Sequence, residues 1–312
     1  MSTLPTDSPQ MLEQREAAIV ISAIPRIRRR RRRYPHRWFA LLAIMLICFG
    51  YLMPFLWMIS TSLKTVDKTT SFPPQLIPHP AVPMNYWSAI SSPKADFPLY
   101  TRNTLLIAAL SVLGTTLSSA VVAYGFAKIR FKGRGFLFVL MLSTMMIPFP
   151  VMMLPLFIVF RFIGDHTPLQ MLGTFKPLWL PAWFGSAFSI FLLRQFFLTI
   201  PDDLSEAARI DGCTEWGIFW RIMLPLSRPA LAVVALFSFM WAWNNFLGPL
   251  LYLQRPQQYT LALGLQAFQS AQGGTDWNLL MAASMLVMLP VILLFFVAQK
   301  TFIQGIATTG LK

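Results

Sequence analysis

The sequence predicts an all-α fold, a polytopic membrane protein of six transmembrane helices with a polar cytosolic loop between the fourth and the fifth. Three observations predict it. Of its 312 residues 55% are hydrophobic and 12% charged, where a soluble domain carries about 25% charged residues, and the mean hydropathy is +0.56. Six stretches, near 38–60, 103–127, 136–160, 177–193, 229–251 and 277–299, contain no Asp, Glu, Lys or Arg. Each is of a length to cross about 30 Å of hydrocarbon as a helix, the conformation that satisfies every backbone N–H and C=O internally in lipid. Lys and Arg are also segregated. With the N-terminus inside, nine precede residue 38, four lie in 128–134, four in 194–228 and two near the C-terminus, against seven in the outside loops. That is the positive-inside pattern, so both termini are expected in the cytosol.

The first element is a basic cytosolic tail, 1–37, whose Ser-, Pro-, Gln- and Glu-rich residues 1–25 are expected to be disordered. Its arginine run 28–33, flanked by Arg26 and Arg37, suits a topogenic anchor on anionic headgroups, at roughly 1 kcal/mol per basic residue. A nucleic-acid arm is the alternative, but no interleaved aromatics or recognition fold accompany the run. A cleaved signal peptide is not expected, because the apolar run that follows is too long for an h-region and lacks a small-x-small exit. After span one, the outside loop 61–102 carries Pro73, Pro74, Pro78, Pro80 and Pro83. Proline at that density favours irregular chain, as a folded cap or as a spacer.

Span two carries Ser111, Thr115, Ser118 and Ser119 at helical spacing. Small residues so placed let backbones approach closely in lipid, or line a substrate groove. The loop 128–135 is a short cytosolic turn eased by its glycines. Pro54, Pro148, Pro150, Pro155, Pro181 and Pro290 are expected to kink or break spans one, three, four and six. The chain has two cysteines, Cys48 in span one and Cys213 in the loop after span four. On this topology neither faces the oxidising side, so no disulfide is expected. His36, His79 and His166 are scattered singly, which leaves no metal cluster to build.

The loop after span four carries the most specific chemistry. Pro201 is followed by Asp202 and Asp203, which offer N-cap oxygens, and Asp203 with Glu206 has capping-box spacing. A short helix is expected to run to Ile210 or Asp211 and to stop at Gly212, able to take the left-handed C′ position. Thr214 is placed to cap a second helix through Glu215, Trp216, Phe219 and Trp220, and Pro225 to turn the chain back into the membrane. Ala207 and Ala208 would leave one side of the first helix bare for a partner, and Glu206 lies near the positive end of its dipole. The alternative is a plain interfacial element with Trp216, Trp220 and Ile222 against headgroups.

The pattern Glu-Ala-Ala-x3-Gly-x9-Ile-x-Leu-Pro, intact from Glu206 to Pro225, resembles the EAA signature of binding-protein-dependent permeases of ATP-binding-cassette (ABC) importers. Flanking residues resemble the carbohydrate branch, permeases similar to the second membrane subunit of the maltose transporter. They are Pro54-Phe55-Leu56 with Ser60-Thr61-Ser62-Leu63-Lys64, Asn85-Tyr86, Tyr100-x2-Asn103-Thr104, Trp243-Asn244-Asn245-Phe246 with Pro249-Leu250, and Gln299-Lys300-x-Phe302-x2-Gly305. The likeness covers about residues 50–312. It departs in the polyarginine leader and in the ending Gly310-Leu311-Lys312, which lacks the family's closing glycine. The tail contact that some relatives make with their ATPase is therefore not carried over.

The resemblance implies a six-helix permease domain over 38–302, a cytosolic tail over 303–312, and a bacterial or archaeal plasma membrane. It makes Glu206, Ala207, Ala208, Asp211, Gly212, Ile222, Leu224 and Pro225 the coupling loop that docks on an ATPase. The implied partners are a second, similar permease, two ABC ATPases, an extracytoplasmic solute-binding protein, membrane lipid and a sugar, with no nucleic acid. No cofactor is expected on this chain. It has no Gly-x4-Gly-Lys-Ser/Thr loop, so ATP and Mg would sit on the partner subunits. It has neither a His-Glu-x2-His nor a Gly-x-Ser-x-Gly motif, so an enzyme is not expected. The spans also lack the ionisable relays of proton-driven carriers, the alternative from another class. A permease for glycerol phosphate or a polyamine is the nearer alternative. Substrate contact is expected on span five, where Trp241 and Trp243 offer flat faces and Asn244 and Asn245 amides. An interfacial belt and helix-to-helix bonds are the competing roles for those four.

Overall fold

The structure, a computed structural model, describes residues 37–269 and 274–309, the last ten of these as backbone. The tail 1–36 with its arginine run, and the ending Gly310-Leu311-Lys312, lie outside the described residues. The described chain is helical. Five helices are long and apolar enough to cross a membrane. A sixth reaches that measure together with the segment before it, from which it is bent by 80°.

The chain divides into two compact units. The first ends at Met53 and contributes the greater part of α1 (Arg37–Ser62). Every side chain from Trp38 to Met53 is exposed, the pattern of a helix whose solvent is lipid. The second unit, Pro54–Lys312, holds everything else.

Its central helix is α2 (Phe97–Lys128). Asp96 starts it by accepting the Leu99 N–H at 3.1 Å, and Pro98 sits in the first turn, where a missing N–H costs nothing. One face of α2 is built from small residues, and Ser111, Thr115, Ser119, Ala120, Ala123 and Ala127 are all buried. A Cβ on Gly114 would lie 2.5 Å from the Trp183 ring. The serines of span two therefore serve close packing. Ser119 Oγ accepts the Ser186 N–H at 3.2 Å, and Ser118 Oγ bonds back to the Gly114 carbonyl at 2.6 Å.

Three hydrophobic stretches are not single helices, and one of them, read as 177–193, is broken at Gly185 (φ +86°) between short turns over 176–184 and the helix that starts at Ala187. The stretch read as 136–160 splits into α3 (Arg134–Ser143), a 3-10 turn Thr144–Met146, and α4 (Phe149–His166). Ile147 is extended at the break (ψ 112°) because Pro148 disfavours helix in the residue before it. The stretch read as 229–251 likewise ends early. After α5 (Ala187–Thr199) and the polar loop that follows it, its helix Arg228–Trp243 stops at Asn244, and a short helix Leu247–Tyr252 follows. Asparagine side chains compete for nearby backbone groups. Asn244 Nδ2 donates to the Met240 carbonyl at 2.9 Å, and Asn245 Oδ1 accepts the Gly248 N–H at 3.0 Å, capping the next helix. The last helix, Trp277–Thr309, runs past the boundary expected at 302.

The proline-rich loop 61–102 folds as a cap. Within it, the helix Met84–Ile90 presents Asn85, whose Nδ2 donates to the carbonyls of Ser62 (2.9 Å) and Lys64 (2.8 Å) and whose Oδ1 accepts from Asn278 at 3.2 Å. Lys94 pairs with Asp276 beside it.

Candidate functional site

The polar loop after α5 forms a knob of two short helices. The first, α6 (Asp203–Ile210), ends in a Schellman turn. The Cys213 N–H reaches the Ala208 carbonyl at 2.8 Å, the Gly212 N–H reaches Arg209 at 3.0 Å, and Gly212 holds φ +80°. The second, α7 (Glu215–Ile218), is capped by Thr214 Oγ1, which accepts the Gly217 N–H at 3.3 Å. It widens into a π-turn, Phe219–Met223, closed by the Leu224 N–H on the Phe219 carbonyl. The turn Leu224–Leu226 follows, and α8 (Arg228–Trp243) then leaves at 80°. Pro225, with no N–H to give, sits where the helical ladder is already interrupted.

The N-terminal capping expected of α6 is not made. Asp202 occupies the N-cap in helical conformation without a side-chain cap bond. Its carboxylate instead meets Lys128 Nζ at 2.5 Å, and that hydrogen bond and charge hold it below the usual carboxylate range. A charge-assisted bond to an ammonium outweighs a neutral N–H cap.

The knob has an inner and an outer face. Ile218, Phe219 and Met223 are buried against Ala120, Ala123, Tyr124 and Ala127 of α2 and Phe197 of α5. The expectation of two bare alanines is half corrected, since Ala208 is buried in the same cluster and Ala207 faces out. Geometry requires the split, because consecutive helical residues point about 100° apart. Glu206, Ala207, Asp211, Gly212 and Pro225 are exposed, with Ile210 (86% exposed) and Trp216 beside them. Ile222 and Leu224 pack partly buried against the core and fasten the knob to the bundle.

Polar bonds that the sequence reading missed also hold the knob. Tyr124 Oη donates to Glu215 Oε2 at 2.5 Å, and Arg209 Nε donates to Glu215 Oε1 at 2.7 Å. The Arg209 bond first, then Tyr124, keeps the Glu215 carboxyl below its usual range, and Glu215 in turn raises Arg209. The available signal was the pair Tyr124 and Lys128, polar and four apart at the inner end of an apolar span.

The four residues expected on span five are not equivalent. Trp243 is 2% exposed, its Nε1 donating to the Val287 carbonyl at 3.1 Å and its ring stacked on Phe239. Trp241 is 65% exposed and meets the Phe149 ring edge-on, at the break between α3 and α4. Asn244 is exposed, and Asn245 is half-buried in its cap. A cleft of about 430 Å³ is lined by Phe246, Gln266, Gln269, Trp277 and Ser284 among others, and none of the four expected residues is in its wall.

Residues 114–308 match the family described as binding-protein-dependent transport system inner membrane components. The chain is 40% identical over 210 residues (67% of this chain, 72% of the relative) to an arabinooligosaccharides transport system permease of Halalkalibacterium halodurans. It is 32% identical over 274 residues (87% and 95%) to the trehalose/maltose transport system permease of Thermococcus litoralis. To an sn-glycerol-3-phosphate transport system permease of Yersinia enterocolitica it is 34% identical over 270 residues (84% and 94%). The fold is similar, at TM-score 0.71 and 22% identity over 95% of this chain and 99% of the other, to a bacterial ABC transporter involved in the import of the acidic polysaccharide alginate. Motif, helical architecture and sequence likeness converge: the chain belongs to the inner-membrane components of binding-protein-dependent transport systems.

Proposed function

We propose that this chain is one of two permease subunits of an ATP-driven importer for an oligosaccharide, and that its cytosolic knob receives the force of a separate ATPase. The observation that carries the reading is the knob's outer face, where Glu206, Ala207, Asp211 and Gly212 stand exposed on a turn whose inner face is locked to the bundle. ATP and Mg would be held by two partner ATPases, and a second permease and an extracytoplasmic binding protein would complete the assembly. Both termini lie in the cytosol of a bacterial or archaeal cell.

The pathway runs past Trp241 and Asn244, with Asn245 at the helix break and Trp243 as the buried support behind them. A flat aromatic face and neutral amides suit the C–H and hydroxyl groups of a sugar. A phosphorylated polyol is the second reading, supported by likeness to the glycerol-phosphate permease. The neutral character of Trp241 and Asn244 favours the sugar.

The test is Glu206→Lys in the assembled transporter. The variant is expected to insert in the membrane, yet to lose ATPase co-purification and the uptake of whatever solute its binding protein retains. Wild-type uptake and ATPase recovery in the variant would refute the docking reading.

A further inference from the structure

Two side chains one turn apart at the end of α2 hold the knob at its start and at the head of its second helix. Lys128 Nζ donates to the Ile200 carbonyl at 2.7 Å and to Asp202 Oδ1 at 2.5 Å, where the knob begins. Its side chain is 4% exposed, so this ammonium is committed to those partners. Tyr124, 5% exposed, donates to Glu215 at the start of the second knob helix. The other oxygen of that carboxylate is taken by Arg209 of α6, so α2, α6 and α7 meet at one side chain. We infer that Tyr124 and Lys128 are positioning residues that make the knob and α2 move as one rigid body, delivering displacement of the knob into the central helix.

The packing between them needs such a brace. The α2 surface beneath the knob is Ala120, Ala123 and Ala127, a low-relief face with few ridges to resist sliding. Apolar contact there is non-directional, whereas the two charge-assisted bonds fix position along and around the helix. On the far side the knob leaves through an 80° bend at Ser227. The inference rests on the docking reading for its role in transport, but the brace itself is measurable without it.

The experiment uses the transporter purified from its host with all co-purifying subunits. With Cys48 and Cys213 replaced by Ser, spin labels are placed at Leu204→Cys on the knob and Leu113→Cys on α2, both exposed positions. Their separation is read by pulsed electron paramagnetic resonance, nucleotide-free and after trapping with Mg-ATP and vanadate. The wild-type background is expected to give one separation that is unchanged by trapping. Tyr124→Phe, which keeps the ring on Phe219, combined with Lys128→Met, is expected to broaden or shift that separation beyond the wild-type width while the protein elutes as a folded complex. Lys128→Arg is expected to retain the single separation.

A double variant that keeps the wild-type distribution in both states overturns the inference. So does a wild-type separation that changes on trapping. If no ATPase co-purifies even with wild type, the docking reading fails, and the nucleotide-free distributions still decide whether the brace exists.

Discussion

Gly212 shows how one backbone angle decides the shape of the proposed docking face. It holds φ +80°, and open space surrounds the position of a Cβ, so a side chain there would strain the backbone without colliding with anything. Gly212→Val should cost about 1–2 kcal/mol through left-handed strain. It should therefore weaken ATPase co-purification more than Gly212→Asn, which tolerates that region; equal losses for the two would contradict the account. Glu215 gives a pH test. Its carboxyl is depressed in the folded chain by Arg209 and Tyr124. The bonds to it are then complete above the ordinary glutamate range and are lost as pH falls through the depressed value. Acid release of the ATPase should occur at lower pH in wild type than full protonation of free glutamate would suggest, and Glu215→Gln should flatten that acid limb. Gly212 and Thr214 were legible in sequence because capping is local chemistry. The Tyr124–Glu215 bond was not, since its partners are 91 positions apart and pair through tertiary packing.

Among the helices, α2 is limited by how little room it leaves. The Trp183 ring occupies the space a Gly114 side chain would need, and the Tyr100 ring does the same at Gly264, at 2.3 Å. Gly114→Ala is expected to destabilise by about 1–3 kcal/mol through overpacking, read as a lower unfolding temperature in detergent. A second change, Trp183→Leu, should recover part of it; no loss in the single variant would show that the ring is free to move. Hydropathy located all six apolar stretches, because the lipid requirement acts on every residue of a span. The prolines marked the break at Ile147–Pro148, which hydropathy alone did not, and neither located the one at Asn244–Asn245. An apolarity average is blind to where a backbone ladder stops, even when, as at Pro148, the residue that stops it is in plain view.

At the scale of the whole chain, the asymmetry of basic residues is the ground for the proposed orientation. A single cysteine at Asp211, with Cys48 and Cys213 removed, should react with a membrane-impermeant maleimide in inside-out vesicles and not in intact cells, while one at Lys94 should do the reverse. Labelling of Asp211→Cys from outside would invert the topology and sink the docking reading. Fold class and family were legible because composition and a fixed twenty-residue pattern both survive without tertiary information. The solute was not, since its contacts depend on which faces of α8 remain exposed, and burial separated Trp241 from Trp243 in a way their spacing of two could not foretell.

The wide turn at Phe219–Met223 sets a rotational phase between knob and α8. Excising one residue there, for example the exposed Trp220, would let the chain relax to ordinary α geometry, whose tighter winding returns the roughly 100° that the lost residue removes, so everything downstream nearly keeps its phase. Val234 and Trp243 would stay on the core they now fill, whereas excising the exposed Ala232 from the regular helix beyond the turn would rotate both off it by about 100°. Loss of Trp220 should therefore be far milder than loss of Ala232, and the gap between the two deletions measures how much slack the wide turn gives this gear.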